Sequence, residues 1–406
     1  MNKKIAIALI IFTCLTGSLA IEPVDIVLAR EKDKQEEEEF KPLEIVELDP
    51  LLPADIETNP LNDAEKRNLI PILDRFALEA ETEFLAEDGD KDRAFTMWYR
   101  ELRLRRYLGA VEEVAALGRV GKIAWENNRN QDLFVIRERL IEIQTDAEEK
   151  KTLDSQLANV LAIAYEGIRF YPQALAMYEF ILVGVRETGD INELERILNT
   201  IAQLHLEWFQ YFAAEEVYKE LLTLARSQFD DANILRYLEQ MAYLYDRAKQ
   251  PEKAIETKIE LLQGYLKKEL IAKIPPLQIS LAGDYEIIGE GETASATYQE
   301  AFSLAWANQY YAYASDALKK LAELYYTYDQ LDYALEIYRE QIKAAEYATD
   351  EFSIMEIYDR MGQIYLELED YPQALNALQE GLKIARSLGH KEEDFLEKIA
   401  EINEFL

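Results

Sequence analysis

From about residue 63 onward the chain repeats itself every 40 residues, and nothing else in it constrains the fold so tightly. Ala94, Ala174, Ala214, Ala254, Ala294, Ala334 and Ala374 share one grid, with Phe134 in the single gap. Four residues after each grid point stands Trp98, Tyr178, Tyr218, Tyr298 or Tyr338, with Glu138, Lys258 and Leu378 as exceptions. Nine residues before it runs a second aromatic series, Trp125, Tyr165, Tyr245, Tyr285, Tyr325 and Tyr365, which Leu85 and His205 break. A small residue lies three earlier still, at Ala162, Ala202, Ala242, Ala282, Ala322 and Gly362. A unit this short cannot bury its own apolar face, so its stability must come from stacking on its neighbours.

Within a unit the apolar positions keep helical spacing, as in Leu157, Val160, Leu161, Ala164 and Tyr165. A break follows at Gly167 to Tyr171, and Pro172 then suits the first turn of a second helix. Each unit therefore reads as an antiparallel helix pair. Small residues let the two helices approach, and aromatics fill the space between pairs. The expected fold is all-α, a right-handed α-solenoid of about eight 40-residue helix pairs over residues 63–390. A capping helix over 391–406 closes it, with Glu392, Glu393, Glu397, Glu401 and Glu404 on its polar face; its last residues, Phe405 and Leu406, have no evident role.

These residues carry a resemblance. Small-x-x-Tyr in the first helix, then Ala-x-x-x-Tyr nine residues on, resembles the tetratricopeptide repeat. The usual unit there is about 34 residues with a Pro near its end. Here the unit is 40 and that Pro is missing, which implies longer helices. The resemblance implies a protein-binding scaffold whose groove is lined by first helices. Carried over by position, the groove residues are Asn159, Ile163, Glu166, Asn199, Gln203, Glu239, Tyr243, Asp246, Glu286, Lys319, Glu323, Tyr326, Asp359 and Gln363. The two-carboxylate clamp of the chaperone-tail binders is not reproduced. A tyrosine-dense stretch between Tyr310 and Tyr333 offers a stacking platform for a peptide. The segment Trp98 to Arg129, with Trp-Tyr-Arg-Glu-Leu-Arg-Leu-Arg-Arg, is also similar to exported cyanobacterial repeat proteins. That similarity implies photosystem II assembly and manganese handling.

The first twenty residues look like an address. Lys3 and Lys4 precede the apolar run Ile5 to Phe12, and Ser18-Leu19-Ala20 supplies a cleavage site, so 1–20 reads as a signal peptide. The mature protein is then expected in the periplasm or thylakoid lumen. Lipidation at Cys14 and an uncleaved anchor are the alternatives. Residues 21–62 read as an acidic, proline-punctuated linker. Between Arg30 and Glu57 eleven acids face four bases, and Pro42, Pro50, Pro53 and Pro60 discourage helix. It serves either as a solvated spacer or as an arm for cations or a basic partner.

The formal charge of -34 argues against nucleic acid and against direct contact with an anionic membrane. A single Cys excludes a disulfide framework. No phosphate loop, nucleophile elbow or His-Glu-x-x-His helix occurs, so no enzyme is expected. His205 fits an inter-helix packing slot or, alternatively, a metal or switch role; His390 fits a helix C-terminus. No cofactor is required. Weakly held manganese or calcium is conceivable at Glu36, Glu37, Glu38 and Glu39. Asp88-Gly89-Asp90-Lys91-Asp92 opens like a calcium loop but lacks its later glycine and glutamate, and reads as a turn. One basic patch, Arg100, Arg103 and Arg106, with Arg105 between them, is either a dock for an acidic partner or internal counter-charge.

The expected function is a non-enzymatic scaffold. It binds a protein or peptide segment of a membrane or envelope protein, as an assembly factor. The alternatives are a divalent-metal carrier or a regulator of a cell-wall enzyme.

Overall fold

In the computed structural model, residues 40–404 are described. They form seventeen α-helices and two short 3-10 turns, and no strand occurs among them. The helices pair in chain order: α1 (Asp63–Leu85) with α2 (Lys91–Arg105), α3 (Ala110–Glu126) with α4 (Asn130–Glu149), and α5 (Ser155–Gly167) with α6 (Tyr171–Thr188). Then come α7 (Ile191–Glu207) with α8 (Tyr211–Ser227), α9 (Asp231–Ala248) with α10 (Pro251–Lys267), and α11 (Ile274–Ile287) with α12 (Gly291–Ala307). Last are α13 (Tyr311–Thr327) with α14 (Leu331–Tyr347), α15 (Glu351–Glu367) with α16 (Tyr371–Leu388), and the single helix α17 (Glu392–Asn403). The described residues divide into two compact units between Gly184 and Val185, a division that falls inside α6. Within each unit, successive pairs stack as in an α-solenoid of tetratricopeptide-like repeats.

The period has a simple physical origin. In the regular part, as at α13 and α14, helices of 17 residues alternate with three-residue turns. The middle turn residue is left-handed: Phe209, Phe229, Gln309, Asp329, Thr349 and Glu369 all have φ between 56° and 63°. The next residue's N–H then reaches back five residues, as from Gln210 to the His205 carbonyl (2.8 Å) and from Gln330 to the Tyr325 carbonyl (2.9 Å). This is the Schellman closure, which satisfies carbonyls that a helix end leaves open. Glycine takes the left-handed slot at Gly189, Gly289 and Gly389.

The grid alanines are where two helices touch: Ala94, Ala174, Ala214, Ala254, Ala294, Ala334 and Ala374 are all 0% exposed. Gly362 shows why the first-helix slot is small, since a Cβ there would sit 2.7 Å from Leu378 Cγ. Trp98, Tyr178, Tyr218, Tyr298 and Tyr338 are buried between helices as the pattern implies. Trp125 departs from it and is half exposed. Here Gly118 and Gly121 bring α3 against Ala164 of α5 and the adjoining Ile168, so the tryptophan has no gap to fill.

The second half of the expected linker is not a free tether. Leu43, Leu52, Ile56 and Leu61 are buried, the last three against Leu69, Leu73, Leu104 and Leu108. The acids and prolines that suggest a solvated chain alternate with these apolar residues, which find the open apolar end of the first pair. The chain enters α1 through Asn62, which forms a capping box with Glu65. At the other end Phe395 and Ile402 of α17 close the core of α15 and α16. The apolar run at 5–12, Cys14, Glu36 to Glu39 and the terminal Phe405 and Leu406 lie outside the described residues. No described helix is long and apolar enough to cross a membrane.

Candidate ligand-binding site

The basic patch of the first pair is consumed internally. Arg100 donates two hydrogen bonds to Asp49 (2.8 and 3.2 Å), and its guanidinium holds that carboxyl below the usual carboxylate range. Arg103 donates to the Pro42 carbonyl. Arg105 reaches Glu101, Asp74 and Glu112 at 2.7–2.9 Å. Glu101, fully buried, also takes Arg119 at 2.6 Å. Arg106 lies 2.9 Å from the Glu113 carboxylate, which Arg139 shares at 2.7 Å. Of the two roles open to these arginines, counter-charge is the one the geometry fills, and as a dock for an outside carboxylate the patch is already occupied.

Most of the expected groove residues also have work inside the fold. Asn199 donates to the Glu195 carbonyl and to Tyr237, and Gln203 donates to Tyr218. Glu239 accepts from Tyr265 and Lys273, both at 2.7 Å, and Glu286 accepts from Tyr298. Tyr243 stacks with Arg247, and Asp246 pairs with the buried Lys258 at 2.7 Å. On α5, Asn159 is half-buried, Ile163 is exposed, and Glu166 is engaged within the fold. These three belong to the first compact unit, whereas Asn199 onward belong to the second. His205 packs half-buried with Nδ1 2.8 Å from Gln210 Oε1, which suits its packing reading. Asp90 caps α2, so the calcium-like stretch serves as a turn. Among the described residues no group of three or more His, Cys, Asp or Glu is placed to hold a metal ion.

Lys319, Glu323 and Tyr326 on α13 come together at one place with Asp359 and Gln363 on α15. Lys319 and Glu323 line a cavity of about 470 Å³ with Tyr338 and Gln341 of α14 beneath. Ser353, Glu356, Ile357, Asp359, Arg360 and Gln363 of α15 form the next wall, and Lys391 and Lys398 close it from the end of the chain. A second cavity of about 210 Å³ adjoins it, sharing Glu323, Tyr338, Arg360 and Gln363, and adds Tyr326, Thr327 and Ile364. The first is charged and the second is half apolar and aromatic. Both lie within the second compact unit.

Three features describe this place. Lys319 and Lys391 lean on the same carboxylate, Glu356, at 3.7 and 3.6 Å, too far for hydrogen bonds. Arg360 is exposed in the wall between the two cavities and makes no ion pair among the described residues. Gln341 is 2% exposed, donates to Ser315 at 3.4 Å, and leaves its amide oxygen without a partner among the described residues. Gln173, Gln250 and Gln278 have buried amide oxygens of the same kind, so this feature is not peculiar to the cavity. Tyr338 at the floor is pushed up to about 12 by burial and by Glu323, so it stays a neutral phenol. Tyr326 donates to Glu367 at 2.8 Å, which also raises its phenol and fixes its ring beside the smaller cavity.

Sequence reasoning found the α13 wall and, on α15, Asp359 and Gln363. It missed Arg360, Gln341, Lys391 and Lys398. Arg360 adjoins a groove position and was legible as the odd cation beside Asp359. Gln341 was not, because an internal glutamine looks like surface until its neighbours are known.

No protein-family model matches the chain, and no curated protein matches it. Some solved structures are similar over part of the chain. BtubC from P. vanneervenii is 19% identical, covering 54% of this chain and 92% of its own, with a TM-score of 0.41. Aspartyl phosphate phosphatase F from Bacillus subtilis is 14% identical over 72% of this chain and 83% of its own, at 0.43. MamA is 19% identical over 47% and 96%, at 0.35. At such identities and scores no family or function passes to this chain.

Proposed function

We propose that the chain is a non-enzymatic scaffold that holds an extended segment of another protein across the first helices of its last pairs. The observation that carries this is the pair of adjoining cavities on α13 and α15, one charged and one lined by Tyr326, Tyr338 and Ile364. A polypeptide supplies what such a place can take: a charged or polar group for the larger cavity and an apolar side chain for the slot. The stacked helices are ordered before binding, so only the partner is immobilised. The signal-like start extends the reading to an exported protein acting on a membrane or envelope protein, as an assembly factor. Photosystem II and manganese rest on the resemblance of Trp98 to Arg129 alone.

A photo-crosslinking residue at Gln363 tests the reading in cells. Partner peptides should be captured there and not from position 343 on the outer helix α14. Equal capture from both positions would contradict a specific site.

A further inference from the structure

We infer that the segment is anchored by a carboxylate seated on Arg360, and that an apolar side chain next to that carboxylate fills the slot at Tyr326, Tyr338 and Ile364. This rests on the segment-binding reading above and specifies its partner.

The argument is one of charge left over. In a protein of net charge -34 acids outnumber cations, so a cation set between two carboxylates usually finds one. Arg360 does not, although Glu323 and Asp359 line the same walls. Those acids already have lysines: Glu323 takes Lys320 at 2.8 Å, and Asp359 takes Lys398. Lys319 and Lys391 divide one carboxylate between them at long range. A second carboxylate entering the cavity would meet a forked guanidinium, which binds planar anions bidentately, with two ammonium groups nearby. It would bring no unpaired charge.

Position fixes the neighbouring group. Arg360 borders both cavities, so a carboxylate on it lies at the mouth of the aromatic slot. A residue that carries the carboxylate, or the one before it, can place a large apolar side chain there. The rest of the partner must be neutral or basic, because the surrounding protein repels further acid. The carboxylate is either an Asp or Glu side chain or the partner's own carboxy terminus. Both chemistries satisfy Arg360, and the test separates them.

The probe is a random twelve-residue peptide library in two formats, with its carboxy terminus free or continuing into a carrier. Selection is on the full chain, on Arg360→Gln, and on Lys343→Gln of the outer face as a control. Selected peptides are then synthesised with the acid intact and with it converted to the amide. A carboxylate beside a large apolar residue should recur in the enriched peptides. Enrichment in the fused format marks a side-chain acid, and enrichment confined to the free format marks a terminal one. Arg360→Gln should weaken binding at least about tenfold, and Lys343→Gln should leave it unchanged. Converting the acid to its amide should cost at least as much against the native chain and markedly less against Arg360→Gln, where only the lysine contribution is left to lose. Enriched peptides without a carboxylate, or losses that simply add in the double change, would overturn the inference while sparing the segment-binding reading. No enrichment on the native chain at all would overturn both. Unchanged helicity of Arg360→Gln is checked alongside. Lys391→Gln, expected to weaken binding severalfold, probes the same anchored carboxylate from the other side of the cavity.

Discussion

The two ends of the chain's described part solve the same problem differently. At the first pair a segment of irregular chain lies over the open apolar end, and Arg100, Arg103 and Arg105 beside it each have a carboxylate or carbonyl from the same protein. At the last pair a helix closes the core, yet beside it two lysines share one acid and an arginine has none among the described residues. Charges saturated by their own chain contribute to folding; charges left unsaturated next to a cavity are available to something else. The richer basic patch in the sequence is therefore the less available one.

Stability should divide along the same line. The largest effect is expected at Glu101, fully buried under Arg105 and Arg119. Glu101→Ala leaves Arg105 partly uncompensated and should cost about 3 kcal/mol, read as a lowered denaturant midpoint. Asp49→Asn, which loosens the covering segment, should cost at most about 1 kcal/mol because Arg100 is well exposed. Asp49 has a depressed folded pKa, so its contribution is full above its unfolded value of about 4 and is lost as pH falls further. Protection factors of residues 43–61, corrected for intrinsic exchange at each pH, should fall on acidification in the native chain and change much less in Asp49→Asn. Smallest is Arg360→Gln, expected within about 0.5 kcal/mol of the native chain. A cost near that of Glu101→Ala would mean that Arg360 is structural and would erase the contrast.

The helix pairs were legible because period, alanine and aromatic slots all report one packing geometry, repeated eight times. The turns were less so. Phe209, Phe229 and Glu369 take a left-handed conformation that glycine most often supplies at helix ends, and only the five-residue backbone closure makes sense of them. One irregularity in the grid was visible but unread. Lys258 stands where other units have tyrosine, and 26 residues on, Asp284 stands where Leu204, Leu244, Leu324 and Ile364 precede the first-helix aromatics or His205. The two residues meet at 2.6 Å, nearly fully buried, so one ion pair replaces one aromatic–aliphatic contact. Lys258→Met alone should cost about 3 kcal/mol, whereas Lys258→Tyr combined with Asp284→Leu should recover most of that. If the double change is worse than the single, the slot is not interchangeable among units.

The candidate site was half legible, and the division has a physical cause. Lys319, Glu323 and Tyr326 follow from helical position, which the repeat dictates. Arg360 and the lysines at the end of the chain matter because of what their neighbours fail to supply, and a pairing deficit is a property of three-dimensional surroundings. Asn199, Gln203 and Glu239 hold comparable groove positions and are saturated by tyrosines and a lysine nearby.

The most direct measurement follows the arginine side chains themselves. Protein labelled with nitrogen-15 at arginine Nε is titrated with N-acetyl-tyrosine, which pairs a carboxylate with an aromatic ring, and with its amide as control. The Arg360 resonance should move with saturation for the acid and not for the amide, while Arg100, Arg105, Arg119 and Arg139 stay fixed. A stationary Arg360, or arginines of the first pairs moving as far as it does, would contradict the division between spent and available charge.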